Sequence, residues 1–115
     1  MILTVLMLLA QSAPAPTAAT LQPAFRNTLV STYPDGRTAR LWLSEDGTYA
    51  GQGRRGGRNG GVWRLRGAEI CLSQRRPFPA PIQYCTPVVA GGVGTRWTAK
   101  AVTGETIRVE LVAGR

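Results

Sequence analysis

The chain has 115 residues, 43% of them hydrophobic, with 14 Lys and Arg against 6 Asp and Glu, two Cys and no His, for a formal charge of +8. A length of this order makes one domain around a modest core. The inventory argues against catalysis and metal binding: it holds no imidazole and a single lysine, Lys100, and its carboxylates sit mostly in turn-forming stretches (Asp35, Glu45, Asp46) or beside arginine (Glu69). Ser31, Ser44 and Ser73 have no base partner that the sequence can name. The expectation is therefore a protein that is not an enzyme, with no catalytic residue, no metal ligand and no cofactor.

The N-terminus reads ILTVLMLLA over residues 2–10, followed by QSAPAPTAAT. An apolar run this short falls well below the roughly 20 residues needed to span a bilayer, and small residues follow it, which is the pattern of a secretory signal. Residues 1–12 are read as that signal peptide, with cleavage as late as residue 19. Residues 13–24 form a Pro/Ala-rich segment and 25–115 a single β-domain. Export to the periplasm or medium would oxidise Cys71 and Cys85, the only cysteines, into one disulfide. No cysteine follows the apolar run to carry a lipid.

Beyond residue 25, short apolar runs alternate with turn signals and no helical period is sustained, so the fold class is all-β. About eight strands are expected near 26–32, 38–44, 48–54, 62–66, 69–74, 82–88, 95–101 and 105–112. Pro34-Asp35-Gly36, Glu45-Asp46-Gly47, Gly67-Ala68 and Thr103-Gly104 mark reversals. Register can be tested because side chains alternate faces. A two-residue turn at Gly67-Ala68 sets Trp63 opposite Leu72 and Leu65 opposite Ile70 on one face, with Arg64 opposite Cys71 and Arg66 opposite Glu69 on the other. Centring the next pair on Phe78 sets Cys71 opposite Cys85 and Leu72 opposite Tyr84. Centring the last on Gly104 aligns Trp97 with Leu111, Ala99 with Val109 and Ala101 with Ile107. The result is a small antiparallel meander closed into a barrel or folded into a sandwich.

The stretch Gly51–Trp63, GQGRRGGRNGGVW, matches two patterns. GQGRRG fits G-x-G-x-x-G, but a dinucleotide fingerprint requires a helix next, and a strand follows here. RRGGRNGG resembles an Arg-Gly box, yet it occurs once, between strands. Both readings yield to a hairpin loop, in which Gly56, Gly57, Asn59, Gly60 and Gly61 permit positive φ.

Charge is densest between Arg54 and Arg76. Arg54, Arg55, Arg58, Arg64, Arg66, Arg75 and Arg76 face one acid, Glu69. Arg64 and Arg66 point away from the core, so with the loop they would form a basic face for an anionic envelope component or other polyanion, without sequence-specific nucleic-acid recognition. The arginine-for-lysine bias, beside many Ala and Gly, also fits GC-rich codon usage with no binding role. Trp63 and Trp97 fall in phase with the core. Trp42 alternates against Ala39, Leu41 and Leu43, and is either an exposed aromatic of a binding patch or covered by another segment.

Two resemblances follow from quoted residues. The runs YPDGRTARLWLSEDGTYAGQG, GVWRLRGAEICL, PAPIQYCTP and GTRWTAK resemble a family of small exported bacterial β-proteins with a DG-x-Y hairpin, a G-x-W strand and two cysteines; the likeness implies compartment and fold, and no activity. The order G-x-W, Cys, Cys, Trp is more remotely similar to that of the periplasmic inhibitors of secreted metalloproteases, small disulfide-bearing β-barrels whose N-terminal segment inhibits. That implies a role for residues 13–23, although here a whole hairpin precedes Gly61-Val62-Trp63. The leading functional expectation is a non-catalytic exported domain that binds an anionic ligand or surface. The alternatives are a protease inhibitor and a lipocalin-like calyx for a small apolar ligand.

Overall fold

The computed structural model describes residues 14–115, and the signal-peptide assignment lies outside them. Eight antiparallel strands form one sheet: β1 (Thr28–Thr32), β2 (Thr38–Leu43), β3 (Thr48–Gln52), β4 (Arg58–Arg66), β5 (Glu69–Arg76), β6 (Tyr84–Pro87), β7 (Arg96–Lys100) and β8 (Thr106–Val112). Their order is β6-β5-β4-β3-β2-β1-β8-β7. All consecutive strands except β6 and β7 therefore pair as a meander, and β1 also pairs with β8, so the sheet curls into a nearly closed barrel. The open seam lies between β6 and β7, where the Tyr84 hydroxyl donates to the Lys100 carbonyl.

Four hairpins are built alike. In Pro34-Asp35-Gly36, Glu45-Asp46-Gly47, Arg54-Arg55-Gly56 and Val102-Thr103-Gly104, the flanking residues close the loop by hydrogen bonds (Tyr33 N to Arg37 O 2.9 Å, Ser44 N to Thr48 O 2.9 Å, Gly53 N to Gly57 O 2.8 Å, Ala101 N to Glu105 O 2.8 Å). The third loop residue has a φ between 83° and 90° in each, so it is glycine. The decoy-like GQGRRG is thus the third copy of one turn. It is also shorter than expected: Arg58, Asn59, Gly60 and Gly61 belong to β4 rather than to the loop. Gly60 and Gly61 answer a different need, because the β4–β5 register shifts between them. A Cβ on Gly61 would lie 2.0 Å from the Ser73 carbonyl oxygen, closer than any side chain allows.

The β4–β5 and β5–β6 registers are those expected, including Cys71 opposite Cys85. Their disulfide spans a Cα separation of 4.1 Å. The last hairpin is corrected. Trp97 pairs with Val109 and Ala99 with Ile107, a slip of two residues, because the three-residue loop centres on Thr103 and Gly104 is its last member. A two-residue slip keeps every side chain on its expected face. Strand starts also move: β1 begins at Thr28, β4 at Arg58 and β6 at Tyr84, and the chain ahead of β1 runs through a 3₁₀ turn (Ala18–Leu21) and α1 (Gln22–Phe25) before a turn at Arg26 and Asn27.

That helical segment plugs one end of the barrel, hereafter the floor. Leu21 and Ala24 are buried with Leu43, Tyr49, Ile70 and Leu111, and Phe25 stacks on Trp63 with ring centroids 5.8 Å apart. The C-terminus latches the plug. Arg115 donates to the carbonyls of Ala24 and Leu43, and Gly114 N donates to Asn27 Oδ1 at 2.9 Å. The other end, the mouth, gathers the β1–β2, β3–β4, β5–β6 and β7–β8 connections.

Candidate functional site: an apolar cavity and its charged mouth

Inward-facing positions along the strands alternate as the pleat requires, but their sizes differ between the two ends. Toward the floor they are Leu43, Tyr49, Trp63, Leu65, Ile70 and Leu111. In the middle and toward the mouth they include Ser31, Ala39, Gly51, Ala99 and Ala101. An eight-stranded barrel is just wide enough to be filled by side chains or to hold one small ligand. Small residues here leave a cavity of about 550 Å³.

Its walls are mainly apolar, with Leu29, Leu41, Leu72 and Trp97 among them. All four are only partly buried, because they face the void. Polar residues are interspersed among them, and one lining residue, Arg40, is charged. Ser31, Asn59 and Gln74 line the cavity, and the Asn59 carboxamide lies over Gly51, where a Cβ would sit 2.5 Å from Asn59 Oδ1.

A charged pin holds one side of the mouth. Arg54 makes a two-pronged contact with Glu105 (Nη2–Oε1 2.8 Å, Nη1–Oε2 3.2 Å). It also lies 3.5 Å from Asp35 Oδ2 and over the Tyr33 ring at 4.2 Å. Three hairpin turns are thereby tied to one guanidinium. The Arg54 hydrogen bonds, helped by the Thr103 hydroxyl, hold the Glu105 carboxyl below its ordinary range, and the same contact raises the Arg54 guanidinium. Burial raises the Tyr33 phenol, against an opposing pull from Arg54.

The arginines expected to form one basic face divide into three groups. Arg54 is engaged by acids and contributes little free charge. Arg58, Arg64, Arg66 and Arg76 stand on the outer face of β4 and β5, with the Arg76 guanidinium packed over Gly60. Arg55 and Arg75 are exposed in the β3–β4 turn and near the end of β5. Arg40 joins the outer row through Gln52, which pairs with both Arg40 and Arg58; the sequence reading left it out because it lies before the dense cluster.

Trp42 does point outward, as its phase requires, and it is half-buried. Its indole N–H donates to Thr28 Oγ1 at 2.9 Å, and that hydroxyl donates to the Gly114 carbonyl at 2.7 Å. The C-terminal segment thus engages it. Trp63 packs in the floor and donates to the Ser44 carbonyl at 2.8 Å, while Trp97 lines the cavity.

The sequence offers the cavity only as the calyx alternative, and it offers nothing for the Arg54 pin. A signal for the first was present in the run of small residues at inward phase. None existed for the second, because Asp35, Arg54 and Glu105 meet only once three separate hairpins share an end. No family model, curated protein or solved structure matches the chain. Among the described residues no helix is long and apolar enough to cross a membrane.

Proposed function

We propose that this is a non-catalytic binding barrel, working after export, that holds a small and mostly apolar ligand in its lumen. The observation that carries it is the cavity of about 550 Å³, closed below by the Leu21–Ala24 plug and open above. Sites for small molecules are typically concavities of about 300–1,000 Å³ with apolar walls and a few placed polar groups. Well-packed interiors rarely leave a void of this size unused. The disulfide favours an oxidising compartment, and the absence of His together with the bridged cysteines favours binding over catalysis.

This reading takes precedence over the anion-binding one because the cavity wall is mainly apolar, with Arg40 the one charged residue among its lining, whereas the outer arginines form an open face without a pocket. Inhibition by the N-terminal segment has less support. Leu21, near the end of that segment, is buried in the floor and anchors it to the barrel.

Displacement of a fluorescent apolar probe, N-phenyl-1-naphthylamine, tests the proposal, with solvent extraction of freshly purified protein to find a resident ligand. Ala99→Phe fills the lumen from a half-buried position. Probe affinity should fall about tenfold or more, the equivalent of 1.4 kcal/mol, while the melting temperature holds. Equal probe binding by both proteins, or none by either, sinks the lumen as the site.

A further inference from the structure

The mouth carries a second feature that ligand binding in the lumen does not require. Phe78 is 62% exposed, Ile82 80% and Val102 81%. These are large apolar side chains with no intramolecular partner to cover them. They are also neighbours by topology. Ile82 stands two residues before Tyr84 and Val102 two residues after Lys100, and Tyr84 and Lys100 are the pair that bridges the β6–β7 seam. Ile82 and Val102 therefore flank the seam where it reaches the mouth, and both line the cavity opening. Phe78 lies in the same β5–β6 connection.

Around this apolar rim stand arginines. Arg75 and Arg76 immediately precede the β5–β6 connection, and Arg55 and Arg58 belong to the adjacent β3–β4 turn and the start of β4. All four are exposed. Among the described residues none has a carboxylate oxygen within 4.0 Å. The two acids of this end, Asp35 and Glu105, are both turned onto Arg54. The acids of the opposite end, Glu45, Asp46 and Glu69, lie at the floor turns, so free positive charge is biased toward the mouth.

Exposed apolar side chains ringed by unpaired guanidinium groups match the chemistry of a lipid interface, where the apolar groups enter the headgroup and acyl boundary and the cations meet phosphate. We propose that the mouth docks on an anionic lipid bilayer, seating Phe78, Ile82 and Val102 in the interfacial layer with Arg55, Arg58, Arg75 and Arg76 on the headgroups. The barrel axis then points at the membrane, and the cavity opens directly onto the acyl region. A soluble polyanion would satisfy the arginines but would leave the apolar rim in water, which is why the bilayer is the better fit. Docking stands on the rim and does not depend on the lumen being filled.

Sedimentation of the disulfide-intact protein with phosphatidylcholine vesicles, with and without phosphatidylglycerol, tests it. Binding should require the anionic lipid and weaken as salt shortens the screening length below about 8 Å. Arg75→Ser with Arg76→Ser should weaken it roughly tenfold or more, and Phe78→Ser with Ile82→Ser should also weaken it. Arg64→Ser with Arg66→Ser, an equal charge loss on the same strands toward the floor, should change it less than about threefold. Phe78→Trp should shift its emission to the blue on vesicles and be quenched by brominated acyl chains. Ala99→Phe should bind vesicles as the unsubstituted protein does, so that failure of the lumen reading leaves docking measurable. The proposal is overturned if the two arginine pairs lose equal affinity, if Phe78→Trp emission does not move, or if dextran sulfate is bound as tightly as the vesicles with no dependence on Phe78 and Ile82.

Discussion

The floor and the mouth of this barrel are made by the same strands with the same alternation, yet the floor is packed across its width, whereas farther up only one side is packed, by Ala101, Ile107 and Val109. The difference lies in residue size at equivalent phase. Leu43, Tyr49, Ile70 and Leu111 meet the Leu21–Ala24 plug at one end, whereas Ser31, Ala39, Gly51 and Ala99 stop short of one another farther up. The larger buried cluster thus lies in the floor, with a smaller one of Ala101, Ile107 and Val109 farther up, and the cavity lies between the walls above the plug.

The largest test of that difference removes matched side chains. Leu43 is 2% exposed, and Leu43→Ala should cost about 2–5 kcal/mol, since it adds a cavity to a closed cluster. Leu72→Ala also deletes an inward leucine, but Leu72 packs at the edge of the same cluster and is only partly buried where it lines the void, so it should cost nearer to about 1 kcal/mol. Denaturant unfolding with fixed slope measures both. Equal losses would mean that the lumen wall is packed as tightly as the closed floor.

Next in size is the disulfide. Cys71–Cys85 ties β5 to β6, the strand at the open seam, and closes a segment of 14 residues in sequence separation. Its removal should cost about 3 kcal/mol by the loss of loop constraint in the unfolded chain. The effect should be local at first. Hydrogen exchange under reducing conditions should accelerate over residues 77–88 before it does in the floor strands. Uniform acceleration would place the staple's effect on the whole barrel instead.

How much of this was legible follows the same division. Hairpin registers at Gly67-Ala68 and at Phe78 were readable because local turn geometry and face alternation fix them. The C-terminal register slipped by two because Val102-Thr103-Gly104 repeats the x-x-Gly loop, and only comparison with Pro34-Asp35-Gly36 and Glu45-Asp46-Gly47 shows glycine to be the last loop residue. The outward phase of Arg64, Arg66 and Trp42 was readable for the same local reason. The β1–β8 pairing joins residues more than 70 apart in sequence, such as Thr28 and Val112, and nothing local encodes it. The lumen and the Arg54 pin both depend on that closure; small residues at inward phase hint at the lumen, but no turn or phase points to the pin.

The smallest expected effect concerns the pin itself. Glu105 has its carboxyl held below the ordinary value of about 4.3 by the Arg54 and Thr103 hydrogen bonds. A depressed folded-state pKa contributes stability that is fully present above the unfolded value and is lost as pH falls through the folded one. Stability should therefore show a component that fades below about pH 4, and Glu105→Gln should remove that component while lowering stability only modestly at pH 7. The exposed setting of the ion pair keeps the amount small. Its location gives it a second readout, because the β1–β2, β3–β4 and β7–β8 turns meet at Arg54 and the cavity opens beside them. Loosening the pin should raise exchange at Tyr33–Arg37 and Ala101–Glu105 and speed probe release from the lumen, with the floor unaffected. An unchanged release rate in Glu105→Gln would show that the mouth is held by its hairpins alone.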